Sequence, residues 1–270
     1  MTAIVGVLNR RGVSFAADSA ATHKSDSGLK ISNNANKIFS LSKYHPVGVA
    51  IYNNLDFIGV PWDSIIKQFR NSLKESKYDS LQEYVKPFFA FVKSNCLNAL
   101  QAEQKDYAEY IIKSYFSEVN KLVKDEIGSD LNDTNAELYF KKLYEKLDSF
   151  QKDFKSNKAE DFETFGENDL ENTYKDIIDS ATTPLLSNAK CPDDFRDRFV
   201  SSLKAVISHN SHIYLQSLFS GLVFFGYGDK DLFPSVMEYK VTYALCNRIK
   251  YTKDYEYHIS SASKDALIIP

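Results

Sequence analysis

The sequence predicts an α+β fold in which β-rich ends enclose a long helical block. Short runs of β-branched and aromatic residues, broken by turn formers, occupy residues 2–54 and return after Gly221, the pattern of strands. Between Pro61 and about residue 220 the apolar residues recur every three or four positions, the spacing of one helix face. The two changes of period divide the chain into a β core of residues 1–60 and 221–270 and a helical insertion of residues 61–220. No internal repeat explains the insertion as a solenoid, so its length implies an added function or interface.

Thr2 to Leu8 form the first predicted strand, Asn9-Arg10-Arg11-Gly12 a turn, and Val13 to Ala17 the returning strand of a hairpin. Thr22 to Gly28 reads as a polar loop. Asn36 to Leu41 and Val47 to Tyr52 predict a second strand pair around Tyr44-His45-Pro46. Pro61 suits the first turn of a helix, where its missing N–H is no loss, and Trp62, Ile65, Ile66 and Phe69 share a face after it. Similar stripes fall at Leu81, Tyr84, Val85, Phe88 and Val92, at Tyr107, Tyr110, Ile111, Tyr115 and Leu122, and at Leu138, Leu143, Leu147 and Phe150. Stripes of this kind are packing surfaces. Glu160 to Asp179 carries eight acids against Lys175 alone, which predicts a solvated connection; a calcium loop is the alternative, but the spacing does not match an EF-hand. A further helix is expected from about Asp194 to Ser220. Leu222 to Gly228, Val236 to Leu245 and Arg248 to Ile259 return to strand.

Composition narrows the function classes. A chain of 270 residues with 43% hydrophobic and 14% aromatic residues can bury a full core. No stretch approaches the roughly twenty apolar residues of a membrane span, and the N-terminus has no basic segment followed by an apolar run, so a cytoplasmic protein without a membrane partner is expected. Net charge is −3 with the cations scattered among acids, the opposite of a nucleic-acid binder's footprint. Cys96, Cys191 and Cys246 are odd in number and far apart, which fits neither a disulfide framework nor a zinc site; they read as buried thiols. His209 and His212 could share a helix face, but without an accompanying carboxylate or cysteine motif they read as surface or capping residues rather than metal ligands. No cofactor or metal is expected.

The residues that point to chemistry lie near the start. Once Met1 is trimmed, which the small side chain of Thr2 permits, Thr2 carries both a hydroxyl nucleophile and a free α-amine that can act as its base. That amine titrates near about 7.7 to 8.0 and needs a positive charge nearby to stay neutral. Lys37, flanked by strand-forming sequence, could depress the amine's pKa and stabilise charge at the hydroxyl. Asp18, at the end of the second strand, could anchor that lysine; a carboxylate beside Ala16-Ala17 would be costly without a cation. Each residue alone has an ordinary structural explanation, as a turn cap, a strand-edge cation or a commonplace second residue.

Together, Gly12-Val13-Ser14-Phe15-Ala16-Ala17-Asp18-Ser19-Ala20-Ala21-Thr22 followed by Asn36-Lys37-Ile38 resembles the N-terminal region of proteasome β-type subunits and their bacterial relatives. Tyr44-His45-Pro46-Val47-Gly48, Gly226-Tyr227-Gly228 and Phe233-Pro234-Ser235 look like an uncharacterised bacterial branch of that superfamily. The resemblance covers residues 2–54 and, less closely, Gly221 to Tyr243. It implies the N-terminal-nucleophile (Ntn) hydrolase fold, an αββα sandwich of antiparallel sheets, here with a large helical insertion and expected to be C-terminally incomplete because the chain ends at Pro270 soon after the third late strand. It also implies Thr2 as nucleophile, Asp18 and Lys37 as the motif aspartate and lysine, a peptide or amide substrate, and a homo-oligomer. Tyr52-Asn53-Asn54 departs from the pattern: it stands where proteasomes have a small glycine-containing turn whose amide stabilises the oxyanion. Two functions are therefore expected, a threonine-type hydrolase working through an acyl-enzyme on Thr2, or a catalytically silent relative that serves as an assembly or binding subunit.

Overall fold

In the computed structural model, which describes residues 4–25, 28–32, 35–210 and 219–261, the chain is α+β, with six α-helices and antiparallel strand pairs among those residues. It divides into two compact units, one of Met1–Leu100, Leu215–Tyr243 and Tyr251–Pro270, the other of Gln101–Tyr214 and Ala244–Lys250.

In the first unit, β1 (Ile4–Asn9) and β2 (Gly12–Ala17) pair antiparallel, with Ile4 opposite Ala17 and Asn9 opposite Gly12. Asn9 sets the turn, because its Oδ1 accepts hydrogen bonds from the N–H groups of Arg11 and Gly12 at 2.7 and 3.2 Å and so reverses the chain in place of backbone. Burial along β1 alternates, Ile4, Gly6 and Leu8 inward and Val5 and Val7 outward, as the pleat requires. The stretch expected to be a polar loop is instead a ladder: β3 (Ala21–Ser25) pairs with β4 (Gly28–Ser32) from Ala21 opposite Ser32 to Ser25 opposite Gly28. Backbone pairing satisfies those N–H and C=O groups; β3 is polar and the only alternation, Leu29-Lys30-Ile31 in β4, is three residues long.

The main sheet collects strands from both ends of the chain. β5 (Ile38–Ser40) and β6 (Val47–Asn53) come first, then a small hairpin of β7 (Asp56–Phe57) and β8 (Val60–Pro61), then β9 (Ser220–Gly226), β10 (Ser235–Leu245) and β11 (Arg248–His258). The five-stranded order is β11-β10-β9-β6-β5. Its register sets Ala50, Val223 and Glu238 side by side on one face, and Val49, Phe224 and Met237 on the other. The first face receives the β1–β2 hairpin: Ile4 and Leu8 cluster with Ala50, Val223, Val236 and Ile259, and Phe15 stacks on Phe225 at 4.1 Å. Gly48 makes room for that stack, since a Cβ there would lie 2.4 Å from the Phe225 ring. Onto the second face packs α2 (Leu81–Asn95), Phe88 edge-on to Phe224 at 5.3 Å and Phe89 flat on Tyr251 at 4.0 Å. The preceding helix, α1 (Trp62–Leu73), buries Trp62, Ile65, Ile66 and Phe69, the face its spacing predicts. Pro61 is its N-cap rather than a first-turn residue, with φ −58°.

The second unit contains α3 (Gln101–Ile127), α4 (Ala136–Asp153), α5 (Glu167–Leu186) and α6 (Phe195–Ser208). Tyr115, Tyr139, Phe162, Phe195 and Phe199 lie at its centre, each 1% exposed or less. Two predicted stripe positions face water instead, Tyr110 at 51% and Leu138 at 49% exposed, because the neighbouring Ile111 and Tyr139 take the inward register. The acidic run is not a solvated connection. It forms a short 3-10 turn at Glu160–Phe162 and the first half of α5, for Leu170, Tyr174, Ile177 and Ile178 thread a buried stripe through the acids. The acids find cations on α6: Glu171 and Asp179 share Arg196, and Glu167 meets Lys204. Nor does α6 reach Ser220; it stops at Ser208 with His209 as C-cap in extended geometry. The tip between β10 and β11 belongs to this unit, Cys246 and Asn247 both holding positive φ, 51° and 58°, the two-residue turn whose twist matches a hairpin. Gln101 and Gln104 clasp Asn247 through hydrogen bonds of 2.7 to 3.2 Å. No helix among the described residues is long and apolar enough to cross a membrane.

Candidate active site

The segment between β4 and β5 is fastened by its backbone before its side chains act. Ala35 N–H donates to the Ser19 carbonyl at 3.1 Å, and Ile51 N–H of β6 donates to the Lys37 carbonyl at 2.7 Å. Lys37 is thus set beside the sheet and opposite the residues that follow β2. From there its Nζ donates to Asp18 Oδ1 at 2.8 Å and to the Ala20 carbonyl at 2.6 Å. The lysine side chain is 1% exposed and the aspartate side chain 33%, so the cation is withdrawn from water while its counter-ion keeps contact with it. Removing an ammonium from water costs several kcal/mol; a charge-assisted bond to a carboxylate and a second bond to a carbonyl are what offset that cost. The structure therefore joins two of the three site residues read from the sequence. The third, Thr2, lies outside the described residues.

A second polar pair sits on the hairpin-facing side of the sheet and was not foreseen. Tyr52 of β6 donates its hydroxyl to Glu238 Oε1 of β10, with Glu238 8% exposed. Burial, then the hydrogen bond to Glu238 and the charges of Glu238 and Asp254, push the Tyr52 phenol far above its usual range, so it is a hydrogen-bond donor and not a base at any ordinary pH. Its ring lies over Gly221, where a Cβ would be 1.9 Å from Tyr52 Cε1, and edge-on to Phe219 at 5.9 Å. Beside it Lys240 pairs with Asp254 at 2.7 Å and sits 5.3 Å from the Phe219 ring centre. Glu238, Lys240 and Thr242 alternate along β10 like a solvated face, which is why the sequence did not reveal Glu238 as an interior acid. Asn53, next to Tyr52, takes φ 64° and ties its amide to the Phe219 carbonyl at 2.7 Å.

In the second unit the sequence reading also passed over Lys250 of β11, 1% exposed. Its Nζ donates to the Ile207 carbonyl at 2.7 Å and to the His209 carbonyl, and lies 5.6 Å from the Phe162 ring centre. Burial brings this lysine down to about 7. His209, as C-cap of α6, packs edge-on to Phe154 at 5.0 Å; burial and then the Lys250 charge lower it. His212 lies outside the described residues. Among the described residues no group of three or more His, Cys, Asp or Glu side chains is arranged to hold a metal ion. All three cysteines are free thiols, and burial followed by the Asp193 and Asp194 charges pushes Cys191 up to about 11, which favours its protonated form. No protein-family model, curated protein or solved structure matches the chain.

Proposed function

We propose that this chain is a threonine-type Ntn hydrolase that cleaves a peptide or other amide bond. Loss of Met1 frees the α-amine of Thr2. The Thr2 hydroxyl attacks the carbonyl carbon as that amine accepts its proton; the proton then passes to the departing amine, and water hydrolyses the ester left on Thr2. Lys37, anchored by Asp18, supplies the positive charge that keeps the α-amine neutral and favours negative charge at the hydroxyl. The observation that carries this reading is the Asp18–Lys37 pair itself, formed across 19 residues of sequence at 2.8 Å. A lysine so thoroughly buried is rare without a partner, and both residues fall where the resemblance to proteasome β-type subunits puts them. The layering of hairpin, sheet and α2 supports the sandwich fold of that superfamily. By the same resemblance the protein works in the cytoplasm as a homo-oligomer.

Intact mass of the purified protein and reaction with an epoxyketone that captures both amine and hydroxyl test the reading together. Protein lacking Met1 should gain one inhibitor mass, and Thr2→Ala should lose at least about a thousandfold in amide turnover. Protein that has lost Met1 yet remains unmodified would sink the proposal. One observation favours the second function, a silent assembly or binding subunit: Tyr52, where the resemblance expects a small glycine turn, fixes its hydroxyl on Glu238 and its ring over Gly221. Retention of Met1 would favour that function directly, because the amine would then be displaced from the threonine.

A further inference from the structure

We propose that the first unit carries a binding site for a phosphorylated small molecule at the C-terminal end of α1, separate in residues and in chemistry from Asp18 and Lys37. A cavity of about 600 Å³ is lined there by Lys43 and Tyr44, from the loop after β5, and by Arg70, Asn71, Lys74 and Glu75, from the last turn of α1 and just beyond. That volume suits a ligand the size of a mononucleotide. Three cations face one acid, so the cavity is locally positive within a chain whose net charge is −3.

Basic residues at a helix C-terminus often do no more than complement the helix dipole, and Arg70 alone could be read so. Three observations go further. Lys43 is not on the helix, so the dipole does not account for it. None of Lys43, Arg70 and Lys74 forms an ion pair among the described residues, whereas Lys67 on the same helix is paired with Asp63 at 2.9 Å. Arg70 also holds its Nε buried with no acceptor among the described residues, and its Nη1 reaches the Ser40 carbonyl at 3.5 Å, the outer limit of a hydrogen bond. A buried donor left in that condition is costly, and a turn of the guanidinium into the cavity would let an anion there satisfy it.

Phosphate fits these groups better than a carboxylate does. A phosphate monoester is a dianion above about pH 6 with three acceptor oxygens, enough to meet the Arg70 fork and two ammonium groups at once. Tyr44 is 60% exposed beside the cations and offers a ring face on which a flat group can rest. The ligand class is therefore a phosphate monoester bearing a planar ring, its phosphoryl group among Lys43, Arg70 and Lys74 and its ring against Tyr44.

Titration calorimetry of the full chain at low ionic strength, with adenosine 5′-monophosphate as probe, tests the site. Saturable one-to-one binding is expected, weaker for inorganic phosphate and weaker still for adenosine, with affinity rising through about pH 6 as the monoester loses its second proton. Lys43→Gln with Lys74→Gln should weaken the monophosphate at least tenfold without moving the melting temperature, since both side chains are exposed; two lost charge-assisted bonds account for a change of about that size. Tyr44→Ala should weaken the monophosphate and leave inorganic phosphate unchanged. Absence of binding to both the monophosphate and phosphate at millimolar concentration overturns the proposal, as does equal binding by the double lysine variant. Equal affinity for phosphate and the monophosphate overturns the assignment of Tyr44.

Discussion

Lys37 and Lys250 are buried almost equally, at 3% and 1% exposed, yet the two units hold them by different means. In the first unit Lys37 meets the full negative charge of Asp18, which stays one-third exposed. In the second, Lys250 donates to the carbonyls of Ile207 and His209 at the end of α6, groups that bring only partial charge, and burial holds it at about 7. Nearly equal burial is thus compatible with different oxygen partners. The ion pair suits Lys37 to the role proposed for it beside the Thr2 amine, while burial brings Lys250 down to about 7.

The largest effect should come from separating Lys37 from its carboxylate. Asp18→Asn leaves a buried ammonium beside a neutral amide, so urea denaturation should show a loss of about 3 kcal/mol. Asp18→Asn combined with Lys37→Met should recover more than half of it, because no uncompensated charge remains; strict additivity would show that the two are not coupled. Lys250 should give a smaller and pH-dependent effect. The folded protein releases this proton near pH 7 while the unfolded lysine keeps it to about 10.5. The unfolded chain therefore binds more protons between those values, and stability rises with pH through that window. From pH 7 to 9 the wild-type protein should gain about 2 kcal/mol more than Lys250→Met does, read as the difference of two denaturation curves; parallel pH profiles would mean that Lys250 titrates normally.

Tyr52→Phe should cost about 1–3 kcal/mol, the usual price of leaving a buried acceptor such as Glu238 without its donor, with no recovery on raising the pH from 7 to 9. The smallest effect belongs to Lys67, whose bond to Asp63 lies on the surface of α1 with side chains 55% and 38% exposed. Lys67→Met should change stability by less than about 0.5 kcal/mol. A larger change there would break the contrast, since it would show that a lysine in water matters as much as one in either interior.

Elements whose apolar period is long and free of crowded charges were legible in the sequence. The β1–β2 hairpin, the β5–β6 pair and the buried face of α1 stand where Asn9-Arg10-Arg11-Gly12, Tyr44-His45-Pro46 and the Trp62, Ile65, Ile66, Phe69 spacing put them. The β3–β4 ladder was missed because β3 is polar and the alternation of β4 is confined to Leu29-Lys30-Ile31, and α5 was mistaken for a connection because its apolar stripe passes through the crowd of acids from Glu160 to Asp179. For the candidate site, Asp18 and Lys37 were paired on the expectation that an interior carboxylate needs a cation, although it is the lysine, 1% exposed, and not the aspartate, 33%, that the fold buries. Glu238 and Lys250 were hidden, since a charged residue in a strand looks the same whether that face meets water or another layer.

By itself the sequence determined where the main-sheet strands, the first hairpin and most helices form, because local periodicity and turn chemistry act within a few residues, and it named Asp18 and Lys37 as partners. Only the tertiary structure decided which charges leave water. Glu238 takes the Tyr52 hydroxyl across 186 residues, and Lys250 the end of α6 across 43. Desolvation depends on what packs over a side chain, and that is settled by contacts between segments far apart in the chain rather than by any residue's neighbours in sequence.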